Sequence, residues 1–428
     1  MSYNYVQRLS GQKIEQELAV TFPKPITSSQ SPVRFDDVPR RWISNRSKKL
    51  FLIAIALLLT RCFGLANADE LTFVRNGETK TIVGEILVEA ENGDILFQTR
   101  SGRLRIVQAD EINEKVDNDE PFEPLSQKEV GAQLLNELPE GFKIHTTRHF
   151  VIAYNTERNY AKWVGGLYER LFRGFIGHWD KKRDFELNTK LKFPLVAIVF
   201  RTRAEYARYT QADTGQPPGN AIAYYNLLTN RVAMFDLTSE LLPAGAAPEQ
   251  NRNISQILAA PNSLDMVATV IHEATHQLMF NTGMQQRMSD TPLWINEGLA
   301  MFFETPDIHN NSGWRAIGQV SVPRLTEFRR GLASRPADAF ESMLSVDERL
   351  QNPETAAFAY AEAWCFNYFL LNRHSKQYVA YLKHMSQKEP LDYDEPEDRL
   401  NEFKQFLGED LAALEREFLD YIGNVRTN

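Results

Sequence analysis

The chain has 428 residues, 43% apolar and 24% charged, which is enough to bury a substantial core and to divide into two or three domains. Its formal net charge is −8, and the first 68 residues carry ten basic against four acidic side chains, so the remainder stands at −14. An acidic surface of this size argues against nucleic acid and anionic membrane as partners.

Residues 1–49 are polar, contain several prolines, and end in the basic run Arg46-Ser-Lys-Lys49. The apolar run Leu50-Phe-Leu-Ile-Ala-Ile-Ala-Leu-Leu-Leu59 follows, and then Ala66-Asn-Ala68. A basic flank, ten apolar residues and a small-x-small site predict an export signal within residues 1–68, cleaved after Ala68. The expected location is therefore the periplasm, the cell envelope or the medium. The apolar run is short for a membrane span, so contact with a membrane is expected only through a retained signal-anchor. The long polar stretch ahead of it predicts either a translation start nearer the run or an extended signal. Lipidation at Cys62 is disfavoured by Arg61 just before it. After cleavage Cys365 is the only cysteine, so no internal disulfide can form, and its apolar helical setting reads as core packing.

Residues 69–112 alternate in strand fashion and are punctuated by Asn76-Gly77, Asn92-Gly93 and Ser101-Gly102, each a hairpin signal. They predict a small all-β barrel or meander with Ile82, Ile86, Val88, Ile95, Phe97, Leu104 and Ile106 on its inner face. Such a unit serves either as an interaction module or as a packing appendage. Residues 113–138, acidic and containing Asp117-Asn-Asp-Glu-Pro121, read as a linker. The main domain is expected over residues 139–428. Phe150–Tyr154 and Leu195–Phe200 read as strands, with a helix over Tyr160–Trp179 between them. Ala221–Tyr225 and Arg231–Phe235 read as a hairpin.

The stretch Val270-Ile-His-Glu-Ala-Thr-His-Gln-Leu-Met279 carries the chemistry. Apolar residues at Leu264, Val267, Ile271 and Leu278 predict a helix over Asn262–Phe280. Residues four apart share a helix face, so His272 and His276 can aim their imidazoles at one point. That point suits Zn2+, and Glu273, one step round the helix, can reach a water there without being a ligand. A catalytic zinc takes three protein ligands and one open position, and Glu297, in Trp294-Ile-Asn-Glu-Gly-Leu-Ala300, is the natural third. Asn296 and Glu304 are candidates to orient the ligands, although Glu304 also suits a solvated helix end. His145, His149, His178, His309, His374 and His384 lack ligand spacing and read as structural or surface residues.

His272-Glu-Ala-Thr-His276, twenty intervening residues, then Glu297 within Trp294-Ile-Asn-Glu-Gly-Leu-Ala-Met-Phe-Phe-Glu304 resembles the gluzincin metallopeptidases, among them thermolysin and aminopeptidase N. The second half looks closest to aminopeptidase N, and the pair also resembles uncharacterised bacterial families of exported gluzincins. The resemblance implies an α+β fold, with a zincin-like peptidase domain of mixed sheet, active-site helix and helical C-terminal half behind the small β domain. It implies a zinc-dependent peptidase with a peptide or protein substrate. It also implies an edge strand, Ile222–Tyr225 or Val232–Phe235, beside the cleft, and a tyrosine near the oxyanion, for which Tyr360 is the candidate. Core or rim packing is the plain alternative for Tyr360. Two departures matter. Thermolysin-like enzymes carry an aspartate where this chain has Met301, so that bond to a ligand is expected to be missing. The Gly-x-Met-Glu-Asn stretch of aminopeptidases is absent from the sequence, which favours an endopeptidase or a narrow peptidase. A silent zinc-binding scaffold in the envelope, or a hydrolase of a non-peptide amide or ester, remains the alternative.

Overall fold

The computed structural model describes residues 67–181, 183–241, 263–305 and 317–427. Apart from residues 67 and 68, the expected export signal lies outside the described residues. Strands β1 (Asn67–Arg75), β2 (Glu78–Glu89), β3 (Ile95–Thr99) and β4 (Leu104–Val107) form an antiparallel meander, and β5 (Ile112–Pro121) pairs with the far side of β1. The order is β4-β3-β2-β1-β5, so the sheet has two open edges and is a meander rather than a barrel. Asn76 and Gly77 take φ of 56° and 75°, the two left-handed residues that a type I′ hairpin needs.

Residues 113–138, expected to form a linker, are instead the rest of β5 followed by helix α1 (Gln127–Glu137). An edge strand tolerates charged side chains, so an acidic composition did not exclude a strand. The helix start is a reciprocal capping box between Ser126 and Glu129, a signal the linker reading passed over.

The small sheet buries residues on both of its faces. Leu71, Phe73, Ile95, Phe97 and Val107 form a core of their own, with Ile82, Ile86 and Ile112 against it. Leu96 and Leu104 point the other way and join the main core, with Val88 and Ile106 packed beside them. The single inner face expected from the sequence is therefore split between two, because the second face is covered by the following domain.

The main domain opens on a second sheet of order β6-β7-β8-β10-β9, built from β6 (Lys143–Thr146), β7 (Phe150–Tyr154), β8 (Leu195–Phe200), β9 (Ala223–Asn226) and β10 (Arg231–Phe235). The three inner strands are parallel and the two outer ones antiparallel to them. β8, Leu-Val-Ala-Ile-Val-Phe, is buried along its whole length, as a central parallel strand with both faces covered must be. Helix α2 (Arg158–Ile176) packs on β6 and β7, and α3 (Arg203–Thr214) on β8 and β10.

Helix α4 (Leu264–Asn281) lies against β9, β10 and α2, two residues later at its start than the sequence pattern suggests. Then come α5 (Leu293–Phe303), α6 (Val322–Gly331), α7 (Ala339–Ser345), α8 (Ala356–Arg373), α9 (Ser375–Met385), α10 (Pro396–Leu407) and α11 (Leu411–Asn424). The chain is thus mixed α+β, with sheets in its N-terminal part and a helical C-terminal half. Among the described residues no helix is long and apolar enough to cross a membrane.

Candidate metal centre

Helix α5 is buried on every side, which places it at the centre of the helical half. Three features fix it there. Asp347 Oδ1 accepts a hydrogen bond from Leu293 N–H at 2.8 Å, satisfying one orphan donor of the first turn. Arg399 in turn bridges Asp347 at 3.0 Å and Asp290 at 2.9 Å. Gly298 lets α8 come close: a Cβ there would sit 2.0 Å from Asn367 Nδ2, which donates to Trp294 O at 2.8 Å.

This packing brings Glu297 of α5 to the two histidines of α4. Nε2 of His272 and Nε2 of His276 are 3.0 Å apart, and the Glu297 carboxylate lies 3.2 Å from the first and 3.7 Å from the second. One ligand atom from each residue falls within 4.8 Å of the others. The remaining ring nitrogens point outward to acceptors. His272 Nδ1 donates to Glu304 Oε1 at 2.8 Å, and His276 Nδ1 donates to Asn296 Oδ1 at 3.1 Å.

Those outer bonds bear on the fit to a metal. With each Nδ1 carrying its proton, both Nε2 atoms present lone pairs to one another and to a carboxylate. Three acceptors facing one point call for a cation, and a His-His-Glu donor set with anchored imidazoles suits zinc. The electrostatics agree. Burial works against a charged His272, but its hydrogen bonds to Glu297 and Glu304 outweigh it and push its pKa up to about 10. Burial likewise raises Glu297, yet the two histidines hold it well below the usual carboxylate range. A proton on His272 is thus the cluster's substitute for a metal, and the two compete.

Glu273 is buried beside this point without joining the ligand cluster. Its Oε2 accepts the backbone N–H of Tyr225 at 2.7 Å, so the carboxylate faces the edge strand β9. Of the two segments expected beside a cleft, only the first includes an edge strand. Val232–Phe235 is interior, paired with β8 on one side and β9 on the other. Tyr360 comes to the site from α8. Burial pushes its hydroxyl pKa well above the usual value, and the charges of Glu297 and Glu273 act in the same direction.

Where the resemblance leads to the expectation of a missing bond, because Met301 replaces an aspartate, Glu304, three residues further along, is hydrogen-bonded to His272. Met301 is fully buried in the core, while the longer glutamate at the end of α5 reaches back to His272. Sequence reasoning missed Arg324, whose Nη2 lies 3.3 and 3.4 Å from the two Glu304 oxygens. Nothing in its spacing signals this, because the contact depends on how α6 packs. His149 pairs with Glu169, His374 with Glu417 and His384 with Glu402, all away from the cluster, and His309 lies outside the described residues. Cys365 is buried and unpaired with another cysteine.

A family model described as "Protein of unknown function (DUF1570)" matches residues 266–392, a stretch that contains the ligand cluster, Glu273 and Tyr360. No curated protein matches the chain.

Proposed function

We propose that the chain is a zinc-dependent hydrolase of the gluzincin type, with a zincin-like main domain, that cleaves peptide bonds in the cell envelope or outside the cell. The observation that carries this reading is the convergence of two imidazole Nε2 atoms and the Glu297 carboxylate beside a fourth group, Glu273, that stays out of the cluster. A purely structural zinc site closes its coordination with a fourth ligand, whereas a catalytic one leaves a position open.

His272, His276 and Glu297 would hold the ion, and Glu304 and Asn296 would fix the two rings. Zinc bound there would lower the pKa of water and polarise a carbonyl. Glu273 takes a proton from the attacking water and returns it to the departing amine. The Tyr225 amide keeps the second oxygen of that carboxylate occupied, so the group is aimed rather than free to turn. Tyr360 keeps its proton across the working pH range and can donate to the oxyanion, a contact of the kind that supplies about 3 kcal/mol.

The supporting experiment is metal removal and return. The purified chain should contain one zinc, lose peptide cleavage on chelation, and regain it with added zinc. A chain that binds no zinc, or cuts equally well without it, would remove the basis of the proposal.

A further inference from the structure

We propose, building on the hydrolase reading, that the small β domain is part of the site's framework: through Arg287 and the β4 edge it seats the β9–β10 hairpin, and so the Tyr225 amide that holds Glu273.

Three contacts link this hairpin to the small domain. Leu104 N–H, on the open edge β4, donates to Leu228 O in the hairpin turn at 2.7 Å. That bond continues the small sheet's edge onto the tip of the neighbouring hairpin. The second contact is a partly buried relay. Arg287, six residues past α4, donates through Nη1 to Leu227 O at 3.2 Å. With the Gln98 amide oriented to satisfy both its ends, its oxygen accepts from Arg287 Nη2 at 2.6 Å and its nitrogen donates to Glu85 at 2.7 Å. Lys192 of the main domain closes the relay on Glu85. Gln98 and Glu85 are 8% and 7% exposed, so these polar side chains on β3 and β2 are buried by docking. The third contact is Glu137 of α1, which bridges Arg103 beside β4 at 2.9 Å and Arg231 of β10 at 2.7 Å.

The hairpin is also tied to α4, where Gln277 Nε2 donates to Asn230 O at 2.8 Å and Asn230 exchanges hydrogen bonds with Asn281. These bonds hold the β10 end of the turn. The β9 end, at Leu227 and Leu228, is held by Arg287 and by Leu104 from the small domain. β9 is an edge strand of four residues, and the outward N–H of Tyr225 goes to Glu273 rather than to another strand. A short edge strand with one partner strand shifts easily, so what grips its loop sets where that amide lies. Arg287 and Gln98 are therefore positioning residues for the general base.

The test is hydrogen exchange read by mass spectrometry on the full chain, comparing wild type, Arg287→Ala and Arg287→Lys. Peptides covering residues 223–235 should exchange at least about tenfold faster in Arg287→Ala, while those covering 264–281 stay protected and zinc content is unchanged. In the same variant kcat for a cleaved peptide should fall about tenfold with KM nearly constant, and Arg287→Lys should restore part of both. Hairpin exchange equal to wild type would overturn the proposal, as would a loosened hairpin with undiminished kcat. Should Arg287→Ala fail to fold, Gln98→Leu removes the same link from the small domain's side and is read the same way. A wild type that cuts no peptide would count against the hydrolase reading, and hairpin exchange would then decide the seating by itself.

Discussion

Glu304 Oε1 lies 2.8 Å from His272 Nδ1 and joins that imidazole to Arg324, so a carboxylate seven residues past Glu297 anchors a ring on another helix. A histidine anchored in this way would be a better metal ligand and cannot turn away. Glu304→Ala should lower zinc affinity about 10- to 100-fold, as loss of such outer contacts does elsewhere. Competition with a chelating dye reads this directly. Affinity unchanged in Glu304→Ala would show that the bond plays no part in holding metal.

Gly298 has no room for a side chain. A Cβ would meet Asn367 Nδ2 at 2.0 Å and Ala363 O at 2.8 Å, and the second atom belongs to rigid backbone. Gly298→Ala should force α5 and α8 apart, costing about 1–3 kcal/mol of stability and weakening zinc binding through Glu297. Denaturant titration with and without excess zinc separates the two effects.

Arg399 sits between Asp290 and Asp347, all three buried, and their charges raise its pKa further although burial opposes them. Arg399→Met would leave two carboxylates facing each other without a counter-charge, at a cost of about 3–5 kcal/mol. Adding Asp290→Asn and Asp347→Asn to that variant should recover much of the loss in thermal unfolding, because the penalty belongs to the stranded charges.

Glu169 accepts hydrogen bonds from Thr147 Oγ1 at 2.7 Å and His149 N–H at 2.8 Å, and pairs with His149 Nδ1 at 2.9 Å. Burial raises its pKa, but these bonds outweigh it and leave the folded value below the ordinary one. The stabilisation is therefore present above the unfolded pKa of about 4.3 and fades as pH falls through the folded value. Glu169→Gln should be less stable than wild type at pH 7 by about 1 kcal/mol after solvent screening, and the gap should close under acid. Unfolding curves from about pH 7 down to about pH 3 give the slope.

The site was legible where its geometry is local. The four-residue spacing of His272 and His276 follows from helix pitch, and the apolar periodicity around them marks α4 to within a residue or two of its ends. Glu297 could be named because its run follows closely in sequence. What escaped depends on packing between distant elements. No pattern announces that Arg324 of α6 meets Glu304, or that a backbone amide of β9 holds Glu273. The linker expected over residues 113–138 shows the reverse: acidic composition suits an edge strand as well as a linker, and the Ser126-x-x-Glu129 cap is the sequence signal of the helix. Alternation along the strands of residues 69–112 reports only that the two faces differ. It does not report that a second domain covers the outer one.

The most direct measurement compares wild type with Glu273→Gln against a mixed peptide library, with zinc quantified in both. The substituted side chain would keep the shape and the Tyr225 contact while losing the ability to take a proton. One zinc is expected in each protein, with cleavage slowed about 10²- to 10⁴-fold in the variant. Equal rates in the two, or cleavage absent from wild type with zinc in place, would contradict the proposed function.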